Sequence, residues 1–86
     1  MIPLYDALVI YSSATTATRV KNMLYTKNIP CKVIQTPKHL SQGGCGYSVI
    51  APQSALETIR SFSNSMSVHI KGVYFISDQG RYIPIA

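Results

Sequence analysis

Residues 4–12 read LYDALVIYS, a short apolar run with Val, Ile and Tyr at its heart, and this pattern predicts a buried strand. Ser12 or Ser13 then offers a hydroxyl to cap a helix. Ala14, Ala17, Val20 or Lys21, and Leu24 follow at helical spacing. Threonines at 15, 16 and 18 lower the intrinsic propensity of this helix, so the packing of its apolar stripe must hold it. Lys27 and Asn28 close it, and Pro30 prevents its return. Residues 31–36, CKVIQT, alternate between flanking prolines and predict a second strand; residues 46–51, GYSVIA, predict a third. Pro52 stands where a first helical residue belongs, and Ala55, Leu56, Ile59, Phe62 and Met66 fall on one face of the helix after it. Residues 68–77, VHIKGVYFIS, predict a fourth strand in which Gly72 marks a bulge or a close approach. SDQG then reads as a turn. RYIPIA reads as a short edge strand or a loose tail, since Pro84 bars it from a central position.

The predicted order is β-α-β-β-α-β, which implies an α+β, ferredoxin-like sandwich: a four-stranded antiparallel sheet with two helices on one face. The other face stays open unless something covers it. No repeat, linker or low-complexity stretch interrupts the pattern, so residues 1–86 are expected to form one domain with its core in 4–77 and a turn and short strand or tail in 78–86.

Composition sharpens this picture in three ways. Hydrophobic residues make up 47% of the 86 positions, enough for a core, whereas charged residues reach only 13%, which leaves a bland surface suited to a second copy or a partner. The net charge of +5 suits an anionic partner, yet Arg19, Lys21, Lys27, Lys32, Lys38, Arg60, Lys71 and Arg81 are scattered and form no dense stripe. The segment MIPLYDALVIYSS lacks a basic n-region and a small-residue cleavage site, and no apolar stretch approaches the ~20 residues of a membrane span. A cytoplasmic protein without membrane contact is therefore expected, and there a cysteine is more often a thiol than half a structural disulfide.

Most catalytic templates fail on this chain. Its carboxylates are Asp6, Glu57 and Asp78, too few and too scattered for a paired-carboxylate mechanism or an obvious Ser-His-Asp set. Cys31, His39, Cys45 and His69 lack the spacing of a metal site, and GGCG is not followed by the Lys-Ser/Thr of a phosphate loop, so neither a metal nor a cofactor is expected. The tyrosines at 5, 11, 47, 74 and 82 raise base stacking on an open sheet, but GYSVIA carries one aromatic and no basic residue. Core and dimer packing is the expected use of these rings, and nucleic acid is not an expected partner. His69, alternating with Lys71, reads as an exposed position.

Cys45 is the remaining candidate. It lies in the segment PKHLSQGGCGYSV, with Lys38 and His39 upstream, Gly43 and Gly44 before it and Gly46 after it. A thiol acts as a nucleophile only as its thiolate, which nearby cations and converging backbone N–H groups stabilise. Glycines on both sides permit that convergence and leave the sulfur approachable. The competing reading is a tight turn in which the cysteine fills a small hole, and spacing alone leaves both open. Cys31, after Ile29-Pro30, reads as a small apolar residue at the start of its strand. The two cysteines fall at opposite ends of one predicted hairpin, whereas a disulfide needs α-carbons within ~7 Å, so they are not expected to pair.

The stretch IPCKVIQTPKHLSQGGCGYSV resembles the core motif of the selenium/sulfur carrier-like family, a group of small bacterial domains. In that family Ile-Pro closes the first helix, a strand runs into Pro-Arg/Lys and an aliphatic-Ser pair, and Cys-Gly opens the next strand. The matching positions are Ile29-Pro30, Pro37-Lys38, Leu40-Ser41 and Cys45-Gly46, and the likeness spans residues 5–77. Two features differ: the spacer QGG before Cys45 is one residue longer, and Tyr47 stands where an aliphatic residue is usual. The resemblance implies that Cys45 holds sulfur or selenium as a persulfide or perselenide, passed between donor and acceptor proteins without turnover of its own. Lys38, Ser41, Gly44, Gly46 and His39 are the expected supporting residues. The rival expectation is a non-catalytic protein- or ligand-binding module, dimeric through the open sheet face.

Overall fold

The computed structural model describes residues 7–40, 46–77 and 79–85. Strand β1 (Ala7–Tyr11) leads into helix α1 (Ala14–Thr26), and strands β2 (Lys32–Gln35) and β3 (Tyr47–Ala51) follow as a hairpin. A single 3-10 turn (Gln53–Ala55) precedes helix α2 (Leu56–Ser65), after which come β4 (Gly72–Ile76) and β5 (Tyr82–Pro84). All pairings are antiparallel, in the order β2-β3-β1-β4-β5. The molecule is thus an α+β fold with two helices and a five-stranded sheet. The expected four-stranded sheet is corrected to five, because residues after the turn pair with β4 at the edge, with Pro84 opposite Tyr74. At an edge, the missing N–H of a proline costs no ladder bond.

Local chemistry explains the helices. Ser13 caps α1: its Oγ accepts from the Thr16 N–H at 3.2 Å, while Ala17, Val20 and Leu24 form the buried stripe. Asn28 takes the left-handed conformation (φ 59°) that ends the helix, and Ile29 N–H returns to Leu24 C=O at 2.9 Å before Pro30 leads the chain away. Pro52 is not the first helical residue. It is extended (ψ 146°) and starts the 3-10 turn with its carbonyl, which accepts from Ala55 N–H at 2.9 Å.

The fourth strand also begins later than the alternation from Val68 suggests. Its partner β1 ends where the chain turns into α1: the pairing runs from Ala7↔Phe75 to Ile10↔Gly72, and the last tie is Lys71 N–H to Ile10 C=O at 2.8 Å. Val68 and Ile70 instead pack against the helix-side core, and His69 is exposed. Gly72 is a close approach, as a Cβ there would lie 3.3 Å from the Tyr74 ring. Of the first predicted strand, Leu4, Tyr5 and Asp6 lie outside the described residues.

The alternation of each strand builds two cores. On the helix side Val9, Tyr11, Val49 and Ala51 meet Ala17, Val20, Leu24, Cys31 and Ile59. On the second face Leu8, Ile10 and Ile50 form another cluster, with Ile34, Leu40, Tyr74, Ile76 and Tyr82 packed against it. That face is not bare: Leu8 is fully buried. The helix-side core contains one polar pair, Tyr11 Oη and Ser63 Oγ at 2.7 Å, and burial raises the phenol pKa while the Ser63 bond partly lowers it. Tyr11→Phe and Ser63→Ala should each cost about 1–3 kcal/mol, since either leaves a buried hydroxyl or its site unmatched. The double variant should lose less than the sum in urea denaturation, whereas additive losses would show that the bond contributes nothing.

Candidate functional site

The candidate site is the loop that joins β2 to β3. Both of its ends are held by the sheet. Thr36 N–H donates to Gly46 C=O at 2.9 Å, and beneath that bond Thr36 Oγ1 and Ser48 Oγ lie 2.8 Å apart in a buried pair. Gly46 fits closely against the same contact: a Cβ there would fall 3.0 Å from Thr36 Oγ1 and 3.4 Å from the Tyr11 carbonyl oxygen, so a larger residue would have to displace the threonine by a few tenths of an ångström. The glycine after Cys45 therefore seats the end of the loop on the sheet. Ser41, Gly43, Gly44 and Cys45 lie outside the described residues; Cys45 is one peptide bond from the fixed Gly46.

The first half of the loop folds back over the sheet. Leu40 N–H closes a turn onto Pro37 C=O at 2.9 Å, and Leu40 packs against the cluster of Leu8, Ile10 and Ile50 on the second face. His39 meets Tyr82, with ring centroids 5.5 Å apart and planes inclined by 50°. Lys38 and His39 are both exposed. The structure thus brings His39, Leu40 and Tyr82 together over the second face and leaves Lys38 facing solvent. The Thr36–Ser48 pair was not singled out by the sequence, and Tyr82 was expected only as a packing ring. Alternation puts Thr36 with Ile34 and Ser48 with Ile50, so the pair was readable in principle, whereas nothing local to Tyr82 links it to His39.

Cys31 occupies a different environment. It is 3% exposed within the helix-side core, and its Sγ lies 3.6 Å from the Lys21 carbonyl oxygen. Burial pushes its thiol pKa up, with a smaller opposing pull from the Lys21 charge. The neighbouring backbone is clasped by α1: Tyr25 Oη donates to the Cys31 carbonyl at 3.3 Å, and Lys21 Nζ sits 5.6 Å over the Tyr25 ring. Cys31 is a free thiol, as expected, and protonated in ordinary conditions.

Among the described residues no three His, Cys, Asp or Glu side chains gather, and no helix is long and apolar enough to cross a membrane. A groove of about 390 Å³ between the helices, lined by Met23, Lys27, Ser54, Glu57, Thr58, Ser61 and Phe62, is separate from the loop.

The fold and this loop define a small α+β domain that mounts a cysteine-bearing hairpin connection on the end of its sheet. The chain belongs to the family described as "Putative Se/S carrier protein-like", whose model matches residues 6–75 and so includes the whole loop. No curated protein and no solved structure matches it.

Proposed function

We propose that this domain carries sulfur or selenium on Cys45. The observation that supports this best is the contrast between its two cysteines. Cys31 is sealed in the core and held protonated, while Cys45 sits beside the anchoring Gly46 in a loop that the family match spans. In the proposed step the Cys45 thiolate attacks the outer sulfur of a donor protein's persulfide. A new S–S bond forms at Cys45, the donor's S–S bond breaks, and the donor cysteine leaves as its thiolate. No further oxidant or reductant is consumed, and attack by an acceptor thiolate runs the same exchange forward. Selenium takes the same route as a perselenide.

Lys38 supplies positive charge for the thiolate and persulfide, and the amides flanked by Gly43, Gly44 and Gly46 add donors. Ser41 hydrogen-bonds the loop or the sulfur, and His39 shapes the loop. The partners are donor and acceptor proteins, and the domain itself turns over no substrate. Free thiols suit a reducing cytoplasm. The order β2-β3-β1-β4 with both helices on one core supports reading the first four strands as a ferredoxin-like unit to which β5 is appended. The test is incubation with a cysteine desulfurase and free cysteine, followed by intact-mass measurement. A gain of one sulfur atom, lost on reduction and mapped to Cys45, is the expected result; no such gain leaves only a binding module.

A further inference from the structure

We propose that a second copy of this chain pairs with strand β2 along its free edge, making a two-fold dimer with one continuous sheet. The two edges of the five-stranded sheet are not alike, and the ladder bonds show why. Along an antiparallel strand, successive residues turn their N–H and C=O alternately toward the partner strand and away from it. Thr36 donates to Gly46 beside β3, so Ile34 and Lys32 turn inward in the same phase. Val33 and Gln35 therefore turn both backbone groups outward, and β2 has no strand beyond it. On β5 the count starts from Ser77 N–H on Arg81 C=O and Ile85 N–H on Val73 C=O, which turns Tyr82 and Pro84 outward. Pro84 has no N–H to offer, so that edge is blunted against pairing. No proline interrupts β2, and its two outward residues each present a complete donor and acceptor.

One register of self-pairing uses these groups alone. Val33 facing the second copy's Gln35, and Gln35 facing its Val33, together make about four backbone hydrogen bonds around a two-fold axis between the two Ile34 residues. Ile34 packs against the second-face cluster, so the pair extends that apolar layer across the joint. Lys32, the charged residue of β2, then faces Thr36 of the second copy and not another lysine. The neighbouring register, Val33 on Val33, sets Gln35 against Cys31, whose carbonyl Tyr25 Oη already holds at 3.3 Å. Tyr25 is 54% exposed and stands at that end of the edge, where it adds apolar area beside the joined strands. The joint is thus at the edge of the sheet and not on the face that the Leu8 cluster occupies. Strands this short bury less than a standard interface, so dissociation is expected between roughly 10 µM and 1 mM. The dimer does not depend on what Cys45 carries.

The test is sedimentation of the whole chain from micromolar to millimolar concentration, together with amide hydrogen exchange read by NMR. The mass should rise from that of one chain toward that of two. Over the same range the Val33 and Gln35 amides should slow roughly 10-fold, while those of Lys32 and Ile34, already bonded to β3, should not change. Gln35→Pro gives β2 the same guard that Pro84 gives β5. It removes two of the four bonds and should raise the dissociation constant roughly 10–100-fold. Ile34→Lys and Ile34→Glu should each weaken self-association, and an equimolar mixture should pair again, because the two positions face each other across the axis. Thermal unfolding checks each variant; where one fails to fold, the exchange pattern of the wild type decides. A monomer throughout overturns the proposal and leaves the edge to an extended segment of another protein. A dimer whose Val33 and Gln35 amides exchange as in the monomer overturns it too, as does a folded Gln35→Pro that associates like the wild type, or a mixture of folded Ile34 variants that does not pair.

Discussion

Cys45→Ser is expected to abolish the fast alkylation of the folded protein, and Cys31→Ala to leave it intact. The chain has two cysteines, so reactivity divides between them. Cys31 is 3% exposed, and desolvation holds its thiol protonated. It can react only when the helix-side core opens, and core openings take most of the free energy of global unfolding. With total stability of about 4–13 kcal/mol for a chain of this size, Cys31 should label at least about 100-fold more slowly folded than unfolded. Iodoacetamide followed by intact-mass measurement reads both rates at once: one fast addition in the wild type and in Cys31→Ala, none in Cys45→Ser, and two in urea. Fast labelling of Cys31 in the folded state would contradict the burial and remove the contrast on which the carrier proposal stands. Equal slow labelling of both thiols would leave Cys45 as a filler of space.

Much of the fold was legible because its causes are local. The Ser13 cap, the stripe of Ala17, Val20 and Leu24, the left-handed Asn28 and the alternation of 31–36 and 46–51 each depend on a few neighbouring residues. Where the reading failed, the deciding partner was remote. The alternation of Val68, His69, Ile70 and Lys71 satisfies a strand template, but β1 ends at Tyr11, where the chain turns toward its helix, and its ladder with β4 stops at Ile10↔Gly72. The state of RYIPIA was undecidable for the same reason: only the register imposed by the Ser77–Gly80 turn makes Tyr82, Ile83 and Pro84 a strand. Within the candidate site the glycines and the cysteine announced a loop, and Gly46 could be assigned a backbone role. The path of that loop could not be read, because it depends on how far a five-stranded sheet twists one corner toward another. Tyr82 is a packing ring on the second-face cluster, as expected, and its contact with His39 of the loop is the part that no local pattern shows.

Leu8→Ala should destabilise the protein as severely as Leu24→Ala, by about 2–5 kcal/mol each. The comparison is informative because the two leucines occupy opposite sides of the sheet. Leu24 lies under the helices, where a large loss is what any two-layer α+β plan demands. Leu8 points to the face that such a plan leaves to solvent, and on an open face truncation would change stability by no more than about 0.5 kcal/mol. Both side chains are fully buried, and Leu8 has Ile10 and Ile50 beside it with Leu40, Tyr74, Ile76 and Tyr82 packed against the cluster. For a chain of this length a loss of that size lowers the melting temperature by roughly 10–30 °C. Calorimetry or urea titration of the two variants side by side decides the matter. Equal losses mean that the loop is part of a second core and is held over the sheet in solution. A Leu8→Ala variant near wild type would mean that the face is wet, that the loop stands away from it, and that a second copy could use that surface after all.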